Sequence, residues 1–354
     1  MTTKPLKLLL ACCLSLSLIP LSQVAADDEL PTVVVMTTGG TIAMLEDPET
    51  GAPVPALSGD DLVAAVPALE ELANIRMVEF SNITSSNMGP DRWPDMAREV
   101  EKELQDANTA GVVITHGTDA IEETAFFLDV TLQTDKPVVL VGALRSASDA
   151  DADGPRNITN AVRQILSEDA SGKGVTITMN HYIHGARAAA KSHVSNVDGF
   201  SSGEYGYLGY VDDDRVVFYR QPLRRQTLSL PEGELPRVDV IAMYTGADGS
   251  YIRHAVESGA EGIVIQAFGW GSVSEAMYDE IESAITEGLK VVISTRVPHG
   301  RTLPIYGYKG GGATLKELGA IFADDLSPGK AQIMLMLAMS EELDQEDIQA
   351  IFNH

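Results

Sequence analysis

Short, uniformly apolar segments alternate with amphipathic segments along most of this chain, and the alternation limits the folds open to it. The apolar segments predict strands at Thr32–Met36, Gly111–Thr115, Pro137–Val141, Val175–Met179, Val238–Met243, Ile263–Ala267 and Val291–Ser294. The other pattern predicts helices at Asp91–Asp106, Ala120–Leu128, Asn157–Leu166, Ile252–Ser258, Ser274–Thr286 and Ala331–Met339, with a last helix that runs to Ile351. Strands that are apolar on both faces and alternate with helices are typical of a largely parallel sheet with both faces covered. We therefore predict an α/β fold.

The 354 residues are enough for one large or two medium domains. The segment between the two blocks of strands contains three prolines and mixed charges. We predict a larger N-terminal α/β domain over residues 27–219, a linker over residues 220–237 and a smaller C-terminal α/β domain over residues 238–354.

The first 26 residues have the pattern of an export signal. Lys4 and Lys7 precede an apolar run, Leu8–Leu18, which is too short to span a membrane. Small residues follow at Val24–Ala26, before an acidic start to the remaining chain. We predict cleavage after Ala26 and a periplasmic or secreted protein.

Charge and cysteine content exclude several classes of function. The formal charge is −26, and removal of the two lysines of the signal makes it −28. This charge argues against binding to nucleic acid or to an anionic membrane, because both rest on Lys and Arg. Both cysteines, Cys12 and Cys13, lie in the predicted signal. The mature chain therefore has no thiol for a nucleophile or for a metal site.

Two loops that contain glycine and threonine follow predicted strands. Thr37–Thr41 (TTGGT) follows the first strand, and His116–Asp119 (HGTD) follows another. In open α/β sheets, ligands bind beyond the carboxyl ends of the strands. Glycines let backbone N–H groups approach a ligand and hold an anion or a developing oxyanion. The alternatives are an ordinary tight turn at Gly39-Gly40 and an N-cap role for Thr118.

In combination, these motifs resemble the L-asparaginase and glutaminase-asparaginase family. The resemblance is carried by Thr38–Ala43, Ile114–Asp119, Glu122–Ala125, Lys136–Val139, Gly142–Arg145, Ala152–Pro155, Gly185–Lys191, Leu208–Tyr210, Ser294–Pro298 and Pro328–Phe352. It covers nearly the whole chain after the signal, and the signal makes the chain similar to the bacterial type II (periplasmic) group. The resemblance implies the asparaginase-glutaminase fold, with a flavodoxin-like N-terminal domain and mostly parallel sheets.

The resemblance also implies catalytic roles for four residues. Thr41 matches the primary nucleophile, and Thr118, Asp119 and Lys191 match a second group that relays a proton. A threonine hydroxyl is a poor nucleophile until a base accepts its proton, so the pattern is chemically coherent. The alternatives are a solvated surface lysine at Lys191 and an acid favoured by the helix dipole at Asp119. His116 is assigned a structural role.

Further positions match the family's substrate-binding set. Ser85 matches the residue that holds the α-carboxylate, with an ordinary turn serine as the alternative. Thr118 and Asp119 would also contact the substrate, and Asp119 would receive its ammonium. Ala143 would offer a carbonyl to the side-chain amide, and Gly40 would bring a backbone N–H to the ligand. Ser86 stands where the family has Gln, at the ammonium end of the site.

Other positions depart from the family pattern. The family carries a tyrosine on the lid after the first motif, but Ala43–Asp61 contains none. Arg296–Tyr308 lacks the acid that the family places there, and Gly246 replaces an asparagine contributed across subunits. We hypothesise that Tyr306 or Tyr308 supplies the missing phenol; the alternative is that both are ordinary aromatic loop anchors.

The expected reaction is hydrolysis of L-asparagine to L-aspartate and ammonia through an acyl-enzyme, without metal or organic cofactor. Asparagine and glutamine differ by one methylene, worth about 1–3 kcal/mol in a pocket, so broad glutaminase-asparaginase activity stays open. A second alternative is a non-catalytic periplasmic amino-acid-binding protein. The resemblance implies a homotetramer, built as a dimer of dimers, with no nucleic-acid or membrane partner.

Overall fold

A computed structural model describes Met1, residues 30–341 and residues 343–353. The chain divides into residues 1–30 and residues 31–354, and all the elements below belong to the second unit. The predicted signal, with its cleavage site after Ala26 and both cysteines, lies outside the described residues apart from Met1, so it stays a prediction. Within the described residues, no helix is long and apolar enough to cross a membrane.

Strands and helices alternate through the second unit. The strands are β1 (Thr32–Gly39), β2 (Met44–Glu46), β3 (Pro53–Pro55), β4 (Asn74–Ile83), β5 (Thr109–Thr115), β6 (Val138–Val141), β7 (Val175–Met179), β8 (Tyr182–Gly185), β9 (Ala190–Lys191), β10 (Phe200–Ser201), β11 (Gly209–Val211), β12 (Val216–Phe218), β13 (Val238–Ala242), β14 (Gly262–Ala267), β15 (Lys290–Thr295) and β16 (Ile321–Phe322). The helices are α1 (Gly59–Ala64), α2 (Leu69–Leu72), α3 (Trp93–Leu104), α4 (Ile121–Thr131), α5 (Gly154–Ile165), α6 (Ser250–Glu257), α7 (Glu275–Thr286), α8 (Gly312–Leu318), α9 (Pro328–Ser340) and α10 (Gln345–Phe352).

Two sheets organise these elements. The larger has the order β12-β11-β8-β7-β6-β5-β1-β4, and the smaller has the order β13-β14-β15-β16. In the larger sheet, β4, β1, β5, β6 and β7 are neighbours in that order and pair parallel, and all strands of the smaller sheet also pair parallel. In contrast, β7, β8, β11 and β12 pair antiparallel. The predicted α/β class with mostly parallel sheets is therefore confirmed.

The strand order reverses direction beside β1. The chain passes from β1 to β4 on one side and then returns to β5 on the other side. Thr37 of β1 pairs with Thr115 of β5, so the two strands end at the same level. Such a switch point, at the carboxyl ends of parallel strands, is where open α/β sheets bind ligands.

The two faces of the larger sheet are buried in separate apolar clusters. Val34 and Met36 belong to one cluster, whereas Val33 and Val35 belong to the other. This follows from the period of two along a strand. The first cluster also contains most of α9, which is apolar on nearly all sides, together with residues of α4 and of the smaller sheet. Because α9 packs between these elements, it joins the two sheets through a shared core.

The residues between β12 and β13 form no helix or strand. The secondary structure therefore does not contradict the predicted linker at 220–237. The domain limits themselves stay a prediction. The sequence patterns missed β4 and the antiparallel strands β8, β11 and β12. These strands are short or half-buried, so they lack the uniformly apolar runs that identified the others.

Candidate active site

The loops that follow β1 and β5 touch through their glycines. Gly40 has a φ of 86°, and a Cβ atom added to it would lie 2.3 Å from Cα of Gly117. Only a residue without a side chain fits there in that conformation. The Thr38 hydroxyl also donates a hydrogen bond of 2.8 Å to the carbonyl of Thr115. The residues that follow the two glycines, at positions 41 and 118, therefore leave the sheet from one point of contact.

Thr41 begins a short 3₁₀ turn, Thr41–Ala43, which the Ala43 N–H closes by bonding to the carbonyl of Gly40 at 2.9 Å. Ile42 and Ala43 are buried and anchor the turn. The Thr41 side chain is half-buried, and its hydroxyl has no hydrogen-bond partner among the described residues. The turn thus fixes the backbone of Thr41, but none of the described residues is placed to accept the proton of its hydroxyl.

Thr118, Asp119 and Lys191 form a hydrogen-bonded group. Lys191 Nζ lies 2.9 Å from Thr118 Oγ1 and 2.6 Å from Asp119 Oδ1. Thr118 is buried. Its methyl group lies so close to Gly142 that a Cβ atom added to that glycine would be 2.8 Å from it. The Asp119 side chain is 76% exposed, whereas that of Lys191 is 18% exposed. The group therefore joins a buried hydroxyl to a carboxylate that is open to a ligand.

The loop after β6 is braced beside this group. The Asp153 carboxylate accepts a hydrogen bond of 3.0 Å from the N–H of Leu144, and Asn157 Nδ2 donates one of 3.0 Å to the carbonyl of Gly142. Ala143, between these two contacts, is buried. The backbone around Ala143 is consequently held by α5, on which Asn157 lies, and by the residue before that helix.

Ser85 and Ser86 occupy different environments although they are adjacent in a 3₁₀ turn, Ser85–Asn87. Ser85 is buried against the second loop, where a Cβ at Gly117 would lie 2.7 Å from Ser85 Oγ. Ser86 is exposed, and its hydroxyl bonds to that of Thr84 at 3.1 Å. The structure therefore brings Ser85, but not the Ser86 hydroxyl, against the loop that carries Thr118.

His116 is completely buried at the start of the second loop. Its Nδ1 lies 2.7 Å from the carbonyl of Gly117, and because a carbonyl only accepts, Nδ1 carries the hydrogen. Burial lowers the pKa of His116 to about 4, so the imidazole is neutral at pH 7. These contacts suit the structural role predicted for it.

Tyr306 and Tyr308 lie in the C-terminal part of the chain and stack on each other with ring centroids 5.5 Å apart. Tyr306 also stacks on Trp270, and the Tyr308 hydroxyl lies 3.0 Å from Ser272 Oγ. Among the described residues, no contact joins either phenol to Thr41. These contacts are the ones expected for aromatic loop anchors, and the supply of a phenol to Thr41 stays a prediction.

The sequence analysis missed two charged residues that touch the segment before Lys191. The Glu122 carboxylate accepts a hydrogen bond of 3.0 Å from the Lys191 N–H, and the buried Lys330 ammonium donates to two carbonyls just upstream. The available signal for Lys330 was a lone charge in the otherwise apolar run of α9.

Two groups of this neighbourhood have shifted pKa values. Burial, followed by repulsion from Glu122, raises the pKa of Glu123 to about 7. Burial also lowers the pKa of Lys330, although Glu122 and Glu123 oppose that shift. Within the part of the chain that the structure describes, no cluster of three His, Cys, Asp or Glu residues could hold a metal ion. The expectation of a reaction without a cofactor stays an expectation.

Comparison with known proteins identifies the family of this chain. Residues 32–224 match the family model described as "Asparaginase, N-terminal", and residues 237–352 match "Glutaminase/Asparaginase C-terminal domain". The chain is 36% identical over 337 residues to a "Probable L-asparaginase periplasmic" of Haemophilus influenzae, covering 93% of this chain and 95% of that protein. It is 35% identical over 331 residues to "L-asparaginase 2" of Escherichia coli, covering 92% and 93% respectively.

A solved structure is similar as well. The crystal structure of a "Probable Cytoplasmic L-asparaginase" from Campylobacter jejuni has a TM-score of 0.85 and 38% sequence identity, covering 91% of this chain and 99% of that one. These matches confirm the two-domain asparaginase fold that the sequence motifs imply. The chain therefore belongs to the asparaginase and glutaminase-asparaginase family.

Proposed function

We propose that the chain hydrolyses the side-chain amide of L-asparagine to L-aspartate and ammonia, with Thr41 as the nucleophile. The observation that carries the proposal is the contact between the loops after β1 and β5, beside the hydrogen-bonded group of Thr118, Asp119 and Lys191. The names of similar proteins, which describe L-asparaginases, support the choice of reaction.

In the first step, the Thr41 oxygen attacks the carbon of the side-chain amide. The hydroxyl proton passes to the departing nitrogen, the C–N bond breaks and ammonia leaves an ester on Thr41. Backbone N–H groups of the glycine loops, Gly40 included, stabilise the oxyanion of the tetrahedral intermediate. The positive φ of Gly40 supports this role because it turns the backbone into the contact between the loops.

In the second step, a water molecule attacks the ester carbon. Thr118 accepts the proton of the water, and the group that it forms with Lys191 passes a proton to the Thr41 oxygen as the bond between that oxygen and the carbonyl carbon breaks, which releases the acid and restores the Thr41 hydroxyl. The hydrogen bonds of Lys191 Nζ to Thr118 and Asp119 support a relay between these groups. General acid-base help of this kind contributes about 10²- to 10⁴-fold to a rate.

Six residues are assigned to substrate binding: Gly40 and Thr118, which also act in catalysis, and Ser85, Ser86, Asp119 and Ala143. Ser85 holds the α-carboxylate, Asp119 receives the ammonium and the carbonyl of Ala143 accepts from the side-chain amide. The exposed carboxylate of Asp119 supports its role, because it is accessible to a cation from solution. Ser86 is assigned to the ammonium end, where a serine in place of the family's glutamine changes the site and bears on the choice between asparagine and glutamine.

Assembly and location belong to the same proposal. We infer a homotetramer, a dimer of dimers, in which a neighbouring subunit completes the site around Thr41. The unpartnered Thr41 hydroxyl and the exposed rings of Trp270, Tyr306 and Tyr308 support this inference. The positively charged and apolar N-terminus supports export, as does the word "periplasmic" in the name of one relative.

The substitution Thr41→Ala tests the function. Ammonia release from asparagine and from glutamine is measured for the wild type, for Thr41→Ala and for Thr286→Ala, a control at an exposed position of α7. We expect Thr41→Ala to lose at least 10³-fold in kcat on both substrates with an unchanged circular dichroism spectrum, because no second hydroxyl replaces the nucleophile. The control keeps wild-type turnover.

Other outcomes decide between the alternatives. Wild-type protein that binds asparagine without releasing ammonia is a non-catalytic binding protein. Activity that persists in Thr41→Ala moves the nucleophile to Thr118. Comparable kcat/KM values for the two substrates identify a broad glutaminase-asparaginase.

A further inference from the structure

Lys191 lies on an element that is too small to hold it in place. Strand β9 has two residues and pairs with β10 through Phe200 and Ser201, within a long connection between β8 and β11. Isolated two-stranded pairs are marginally stable in water. A free lysine side chain also has about 2 kcal/mol of rotamer entropy to lose. Contacts outside β9 must therefore position the Lys191 ammonium.

Glu122 supplies one of these contacts. Its carboxylate oxygen Oε2 accepts a hydrogen bond of 3.0 Å from the Lys191 N–H. Glu122 is the second residue of α4, and Asp119 lies just before that helix. The start of α4 therefore sets both the backbone of Lys191 and the carboxylate that Lys191 Nζ contacts.

Lys330 supplies the second contact from the other side of the segment. Its side chain is buried, and Nζ donates hydrogen bonds of 2.9 Å to the carbonyl of Arg187 and 2.6 Å to that of Ala189. A buried ammonium is costly unless it is fully hydrogen-bonded, so the two carbonyls and the lysine hold each other firmly. Lys330 is the third residue of α9, whose apolar sides are fixed in the shared core.

The side chain of Arg187, which lies in the turn that precedes Lys191, holds this turn as well. Arg187 forms an ion pair of 2.6 Å with Asp325, and both side chains are largely buried. A cleft of about 500 Å³ borders this turn and reaches Lys191 and Lys330. Lys330 is among the residues that line this cleft, so truncation of its side chain would open the position of its ammonium towards the cleft.

We propose that Glu122 and Lys330 are positioning residues that hold the Lys191 ammonium on Thr118 and Asp119. The proposal rests on the proposed function, in which Lys191 relays a proton. The physical reason is the sensitivity of catalysis to geometry, since a displacement of 1 Å can lower a rate by about 10²-fold. Helix α9 follows the smaller sheet in the chain. A residue of the C-terminal part, Lys330, therefore positions a catalytic residue of the N-terminal part, Lys191.

Substitutions at Lys330 test the contact of its ammonium with the carbonyls of Arg187 and Ala189. Lys330→Met removes the ammonium and keeps most of the volume, and the matched control is Lys316→Met at an exposed position of α8. We expect kcat per folded molecule to fall by about 10- to 100-fold, with KM within about threefold of wild type because Ser85 is untouched. In Lys330→Ala, added ethylammonium should restore part of kcat through the cleft.

Substitutions at Glu122 test its contact with the Lys191 N–H, and they remain informative if no Lys330 variant folds. Glu122→Gln keeps an oxygen that accepts from the Lys191 N–H, whereas Glu122→Ala removes it. We expect Glu122→Gln to stay within about threefold of wild-type kcat and Glu122→Ala to lose about tenfold or more. Glu282→Gln, at an exposed position of α7, is the control.

Crystal structures of Lys330→Met and Glu122→Ala provide a readout that does not use activity. We expect Lys191 Nζ to move away from Thr118 Oγ1, which lies 2.9 Å from it in the wild type. A retained contact in both variants, or wild-type kcat in both, overturns the positioning role. If wild-type protein releases no ammonia, the proposed function fails, but the position of Lys191 in these structures still decides whether the two residues hold it.

Discussion

The two threonine loops at the switch point lie at the same end of the sheet, but they differ in the hydrogen bonds that each threonine makes. Thr118 is buried and bonds to Lys191, which in turn contacts Asp119. Thr41 is half-buried, and its hydroxyl has no hydrogen-bond partner among the residues that the structure describes. One chain therefore completes the group around Thr118 and leaves the proposed nucleophile without a base.

The elements that follow the two loops explain this difference. Thr118 is followed almost directly by α4, a buried helix of 11 residues. Thr41 is followed by one short turn and then by the hairpin of β2 and β3, which is bound to the rest of the chain through Ser146 and Ser148. A helix in the core holds its first residues rigidly, whereas a small hairpin at the surface is held by fewer buried contacts and opens at a lower free-energy cost. A lid is therefore better placed at Thr41 than at Thr118.

After that of Thr41→Ala, the largest expected effect comes from Lys191→Met, which removes the centre of the complete group. We expect steady-state kcat to fall by about 10²- to 10³-fold because the relay for the water step is lost. If Lys191 serves only that step, rapid mixing should show one ammonia per site released in a burst, followed by slow turnover. Thr41→Ala should show no burst.

Two outcomes would contradict that division of labour. A Lys191→Met enzyme without a burst would mean that Lys191 also assists the attack by Thr41. Wild-type turnover would remove it from the reaction. Lys316→Met is again the control, because it removes an exposed lysine far from this chemistry in the sequence.

The next effect concerns the partner that Thr41 lacks. If Tyr306 or Tyr308 supplies the phenol, the double substitution Tyr306→Phe/Tyr308→Phe should lower kcat by about tenfold or more and slow the ammonia burst itself. The stacked rings are retained by Phe, so the fold should be unaffected. Tyr251→Phe, which changes another exposed tyrosine, is the control. Unchanged rates would leave both rings as loop anchors.

The smallest effect is on stability and concerns Glu123 in the first turn of α4. Its pKa is raised to about 7 in the folded protein, from an ordinary value of 4.5, mainly by burial. The stability from this raised pKa is fully present below about pH 4.5 and is lost as the pH rises through 7. We expect Glu123→Gln to match the wild type near pH 4.5 and to be more stable by about 3 kcal/mol at pH 8.

Thermal unfolding at several pH values measures this difference. Glu282→Gln, on the exposed side of α7, should show no such change with pH. An equal gain for Glu123→Gln at pH 4.5 and pH 8 would mean that packing, and not ionisation, is responsible.

The strengths and gaps of the sequence predictions have physical causes. Buried parallel strands such as β1 and β5 are apolar on both faces, so their runs of valine identify them without any partner. The edge strand β4 is half-exposed on both faces, and the short antiparallel strand β11 is half-exposed on one, so their mixed composition resembles that of loops. Glu122 and Lys330 were missed as positioning residues because their partners are backbone atoms. The lone charge of Lys330 in an apolar run signals a special role but does not reveal which carbonyls it meets.

By itself, the sequence determined the α/β class, the family and the order of the motifs, because these depend on local periodicity and on the residue types at strand ends. Only the tertiary structure decided which groups meet. Lys191 lies 73 residues from Thr118 in the chain, and Lys330 lies 141 residues from the carbonyl of Ala189. Contacts of that separation arise from the packing of α4 and α9 in one core, and sheet order and core packing are properties of the whole chain.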